Sequence, residues 1–257
     1  MNTFFLDRLN SEPHALAFAG QSTPWPVTLA DQSANPVLDE ALHTHADAAQ
    51  ALLYPVSADL LATTGRPVDL FGFEPNPARL GAAAAASASV PGIALAQLGA
   101  LLDAASLGYN PAVAKPVAVL GHSQGVLAVH MVQAIVEAGS IEAASAQIDE
   151  ILAIATLIGV AGTRQARQLG LAARHGEATP MLSVKDITRA QVDALIKRVS
   201  GARGPIAVAV TNSATHYVLS GYPEDLAAFG VEVAKEHKHQ AKLREEKVRG
   251  GRVFDPT

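Results

Sequence analysis

The sequence predicts an α/β protein with a mainly parallel sheet and a small ferredoxin-like insert. Three observations carry that expectation: a strand-turn-helix passage around GHSQG at 121–125, long alanine-rich helical stretches on either side of it, and a β-α-β-β-α order of short segments from Met181 onward. Composition agrees. Of 257 residues, 49% are hydrophobic but only 5% aromatic and 17% charged, which suits helices packed closely on a sheet better than a many-stranded sandwich. A formal net charge of -5 leaves no basic footprint for a phosphate backbone, so nucleic acid is not an expected partner. The absence of cysteine excludes disulfides, thiolate catalysis and cysteine zinc sites, and fits a reducing compartment such as the cytoplasm. The segment from Met1 to Pro13 carries Asp7, Arg8 and Glu12 and does not read as a secretory signal. The most apolar run, Val90 to Leu102, is interrupted by Gln97 and falls short of the ~20 residues of a bilayer span, so no membrane association is expected.

Along the chain, ALAFAG (Ala15 to Gly20) reads as a first buried strand, and QSTPWP as the loop after it, since Pro24 and Pro26 block a helix. Residues 35–64 have a helical pattern, and GRPVDLFGFEPNP is a turn-rich connector marked by Pro67, Pro75 and Pro77. The run Ala82 to Ala86 is compatible with helix or loop. Ser89-Val90-Pro91 opens a helix that runs through Leu107 to Gly108. PVAVL (Pro116 to Leu120) is then a strand, GHSQG a turn and VLAVHMVQAIVEAG a helix, followed by two helical segments between Ser140 and about Leu171. From Met181 the order is strand (MLSVKD), amphipathic helix (ITRAQVDALIKRVSG), two strands (PIAVAVTNS and YVLSG) and a helix from Pro223 ending in a charged, solvated run. This divides the chain into a core of residues 1–177 and 241–257 and a ferredoxin-like subdomain of residues 178–240.

The G-x-S-x-G pattern is where chemistry is expected. A serine on a sharp turn between strand and helix is held out of the sheet, and the residues two away on each side must lack side chains; Gly121 and Gly125 meet that need around Ser123. The first helical amides, including the N–H of Gln124, face any anion forming there, which supplies half of an oxyanion hole. The plainer reading of Ser123 is a tight turn with a satisfied hydroxyl. His122 precedes the nucleophile, so its side chain should point away, to a supporting or core position rather than that of a base. His43-x-His45-x-Asp47 resembles a metal motif, but residues two apart do not share a helix face, so no metal site is expected.

GHSQG at the end of PVAVL resembles both the α/β-hydrolases and the malonyl/acetyl transacylases of fatty acid synthesis. FAGQSTPW (Phe18 to Trp25) is similar to the transacylase N-terminal strand and loop, SVPGIALAQ to the helix before the elbow, LIGVAG (Leu157 to Gly162) to the segment after it, and TNSATHYVLSG (Thr211 to Gly221) to the small subdomain. The tail KVRGGRVFDP looks most like the loading domain at the N-terminus of actinobacterial type I fatty acid synthases. The resemblance implies a transacylase-like fold, Ser123 as the acyl-carrying nucleophile, and the amides of Gln124 and Gln21 as oxyanion donors. It also implies coenzyme A thioesters and acyl carrier protein phosphopantetheine as substrates, no cofactor in this segment, and other synthase domains in a homo-oligomeric assembly as partners.

Malonyl-specific members carry an arginine after the elbow; matching LIG to their M-R-G motif places Ile158 there, with His122 also implied at the acyl pocket, and favours a neutral acetyl starter. The family's base lies in an F-H-S/T segment after the insert. None of His130, His175, His216, His237 and His239 follows phenylalanine, so the base is expected beyond Thr257 and His130 is expected to pack behind the elbow. A malonyl or palmitoyl transferase, an α/β-hydrolase passing the acyl group to water, and a non-catalytic scaffold remain the alternatives.

Overall fold

The computed structural model describes residues 8–20, 24–62, 86–168, 181–199 and 205–250. The chain divides into two units, residues 1–168 and 169–257.

In the first unit, strands β1 (Ala15–Phe18) and β2 (Ala118–Gly121) pair in parallel, with Ala15 opposite Ala118 and Phe18 opposite Gly121. Helices α1 (Trp25–Ser33), α2 (Pro36–Ala62), α3 (Ala86–Ser106), α4 (Pro111–Ala114), α5 (Val126–Ala138) and α6 (Ser145–Gln168) surround them. α3 is apolar on every side and is buried on every side, which is how an all-round hydrophobic helix must sit in a globular unit. Its Ile93, Leu95 and Leu98 meet Leu42 of α2, Met131 and Ile135 of α5, and Ile148 of α6 in one core. The absence of a side chain at Gly92 admits the Trp25 ring, which a Cβ would meet at 2.5 Å.

Several boundaries differ from the sequence reading for local reasons. α1 already begins at Trp25, because Pro26 falls in the first turn, where its missing N–H is not needed. α3 begins at Ala86, so Pro91 lies inside the helix rather than at its start. The resulting 21-residue α3, and α6, are long and apolar enough to cross a bilayer by length and composition, unlike the shorter run read from sequence; but 72% of the α3 window is buried in this unit, the mark of a core helix. The two helical segments foreseen after Ser140 are a turn at 141–144 and the single helix α6. The connector at 65–77 lies outside the described residues.

The second unit runs β3 (Met181–Lys185), α7 (Arg189–Val199), β4 (Ala207–Ser213), β5 (His216–Ser220) and α8 (Pro223–Gly250). Its antiparallel sheet has the order β3-β5-β4, the arrangement of the first three strands of a ferredoxin-like unit. Val184, Tyr217 and Leu219 from the sheet join Val192 and Leu195 of α7 and Leu226 and Phe229 of α8 in a second core. No proline or glycine interrupts HQAKLREEKVR, so α8 continues through the charged run to Gly250.

Candidate active site

The β1–β2 register ends with Gly121 beside Phe18. His122 follows in extended conformation, and Ser123 then takes φ +55°, a left-handed geometry that non-glycine residues seldom adopt, before a 3-10 turn at Ser123–Gly125 feeds into α5. Two backbone hydrogen bonds brace this turn: His122 N–H donates to Phe18 O at 3.0 Å, and Gly125 N–H to His122 O at 2.9 Å. The flanking glycines are sterically fixed. A Cβ at Gly121 would stand 2.5 Å from the carbonyl of Gly125, and one at Gly125 would stand 2.3 Å from the carbonyl oxygen of Phe18.

A third glycine completes the elbow. A Cβ at Gly20 would lie 2.7 Å from His122 O, 2.8 Å from Ser123 Cβ and 3.3 Å from Gln124 N, so the chain leaving β1 is pressed directly against the serine. Gln97 of α3 secures it: its Nε2 donates to Ala19 O at 2.6 Å. Neither contact is visible in the sequence, because both join segments far apart in the chain. Ser123 is exposed, and the Gln124 amide adjoins the Gly20 position. Gln21 lies outside the described residues.

Other candidate residues lie at the surface. His122 is exposed. Ile158 is 53% exposed on α6, one turn from Ile154 at 51%, so the described residues of this unit do not enclose an acyl pocket around it. His130 is exposed too. The inward face of α5 is Ala128, Met131, Val132 and Ile135, which leaves His130 on the outer face in a shallow groove with Val126, Gln133, Ile151 and Ile154.

The remaining described histidines of this unit are engaged elsewhere. His14 Nε2 is 2.8 Å from the Tyr109 hydroxyl, whose pKa burial raises. His43 Nδ1 meets Asp39 O at 2.8 Å, whereas His45 Nδ1 meets Asp149 Oδ1 of α6 at 2.5 Å in a largely buried pair. The two histidines of the H-x-H-x-D pattern thus serve different partners, and among the described residues no group of three or more ligand side chains converges. In the second unit, His216 Nε2 lies 2.9 Å from Ser183 Oγ, and His237 Nε2 lies 3.0 Å from Lys185 O. His175 is outside the described residues.

Residues 180–257 match the family described as the fatty acid synthase central AT domain. The second unit is therefore similar to an acyltransferase region of fatty acid synthases; the matched segment does not include Ser123. No curated protein matches the sequence. Among solved structures, the chain is similar to the acyl-carrier-protein-S-malonyltransferase from Bartonella henselae, at 17% identity and a TM-score of 0.47, over 88% of this chain and 60% of that one. The chain thus spans less than two thirds of that protein's length.

Proposed function

We propose that the chain is an acyltransferase domain of a type I fatty acid synthase that loads an acetyl starter from acetyl coenzyme A onto acyl carrier protein through an ester on Ser123. The observation that carries the proposal is the strained elbow, in which Ser123 is exposed between a parallel strand and a helix N-terminus and walled by three glycines. The family match of residues 180–257 supports the setting.

In this reading Ser123 Oγ attacks the thioester carbonyl while a histidine takes its proton. The tetrahedral oxyanion is held by the amides of Gln124 and Gln21, and the coenzyme A thiolate leaves with the proton returned by the histidine. The carrier thiol then attacks the ester in the same manner, restoring the serine. The base is proposed to lie on polypeptide beyond Thr257. Coenzyme A and the carrier's phosphopantetheine are the substrates, no resident cofactor is invoked, and the setting is a cytoplasmic, homo-oligomeric synthase.

Acetyl is preferred to malonyl because Ile158 occupies the position matched to the family's arginine. Arg164 does not replace it: six residues further along α6 it lies about 9 Å away and roughly 120° around the helix. The test is to present acetyl and malonyl coenzyme A separately to the intact polypeptide and measure the mass of the protein. An acetyl adduct without a malonyl one supports starter loading; a malonyl adduct overturns the Ile158 argument; rapid thioester hydrolysis without an adduct points to a hydrolase.

A further inference from the structure

We infer that Gln97 is the positioning residue of the Ala19–Gly20 segment that walls Ser123, acting through the Ala19 carbonyl; the inference rests on the acyl-transfer reading of Ser123. Strand pairing with β2 ends at Phe18, yet the next two residues must hold a close approach to the elbow. Phe18 O is taken by the His122 amide, and Gly20 leaves no room for even a methyl group against His122 O and Ser123 Cβ. Between them, Ala19 O accepts the hydrogen bond from Gln97 Nε2, reaching 78 residues across the chain at 2.6 Å. A donor must face that carbonyl, so the amide is oriented with its nitrogen toward the loop.

The residue is costly for the fold alone. Gln97 is 7% exposed on the core helix, and its Oε1 has no hydrogen-bond partner among the described residues. An apolar side chain of equal volume would avoid burying that unpaired acceptor. What Gln97 supplies is a single donor on a rigid helix, aimed at the carbonyl just before Gly20. Its position governs where the chain leaving β1 passes Ser123 at Gly20.

The test compares wild type with Gln97→Met, which keeps the volume, and Gln97→Glu, which keeps an acceptor but loses the donor at neutral pH. At saturating acetyl coenzyme A the rate of Ser123 acylation should fall about 10- to 100-fold in both, the scale of an ångström-level misplacement. The concentration giving half-maximal rate should change by less than about twofold, since ground-state binding is untouched. Deuterium uptake across Ala15–Gly20 should rise in both variants while the melting temperature of Gln97→Met stays near wild type. Unchanged acylation, or a loss confined to the half-maximal concentration, overturns the inference. If wild type itself takes no acyl group, the acyl-transfer reading fails, and the exchange measurement still decides positioning: faster uptake in the variants supports it and unchanged uptake overturns it.

Discussion

Replacing Gly20 by alanine tests the contact on which the site is built. The added Cβ would fall 2.7 Å from His122 O and 2.8 Å from Ser123 Cβ, distances that real Cβ atoms essentially never show. Carbon pairs settle at about 3.5 Å, so the Ser123 contact alone demands a retreat of roughly 0.7 Å. Neither neighbour yields easily, one being backbone and the other the root of the nucleophile. Overpacking of this kind costs about 1–3 kcal/mol, and a unit of this size loses about 2–4 °C of melting temperature per kcal/mol. Acylation of Ser123 should fall much further, on the order of 10²-fold, because the displaced segment bounds the oxyanion site. Gly139→Ala is the control. Gly139 has φ +91° with nothing within 4 Å of its missing Cβ, so alanine there brings backbone strain of about 1–2 kcal/mol and leaves acylation intact. Thermal unfolding and acylation rate on both variants give the answer. If Gly20→Ala loses no more acylation than Gly139→Ala, the loop does not stand where the account places it.

Removing one partner of the buried His45–Asp149 pair should be more damaging than its distance from Ser123 suggests. Asp149→Ala is expected to cost the first unit about 1–3 kcal/mol in denaturant unfolding, the penalty for a buried polar group left without its partner, with the His45→Ala/Asp149→Ala double variant costing less than the two single changes together. Ile158→Arg should shift the ratio of malonyl to acetyl adducts toward malonyl by about 10-fold or more, the worth of a charge-assisted hydrogen bond, as read by protein mass after each thioester. Burial raises the Tyr109 pKa, so its folded value lies above its unfolded one. Its contribution to stability is therefore full below about pH 10 and lost as pH climbs from there through the folded value. Tyr109→Phe should flatten that alkaline decline in unfolding measurements.

What the sequence made legible is what short-range chemistry decides. GHSQG announces its turn because two glycines and a serine between an apolar strand and a helix have few other uses, and the alternation from Met181 to Ser220 reveals the second unit's strands because one face of its sheet is covered by helices. Proline is ambiguous at two places for one reason: its effect depends on which turn of a helix it occupies, and the start at Trp25 carries no side-chain cap that would mark it. The tertiary partners were illegible. Nothing local marks Gln97 as the holder of Ala19, Gly20 as the neighbour of Ser123, or His45 as the partner of a carboxylate 104 residues away. His130 was misplaced because a helix without strong charge patterning, such as α5, gives a weak signal of which face turns inward.

The central claim is that Ser123 carries the acyl group, and peptide mapping after a brief incubation with acetyl coenzyme A tests it most directly. The account predicts an acetyl ester on the peptide containing Ser123 in the intact polypeptide, discharged by added acyl carrier protein and absent from Ser123→Ala. An adduct that persists in Ser123→Ala, or one found only on another residue, would contradict it.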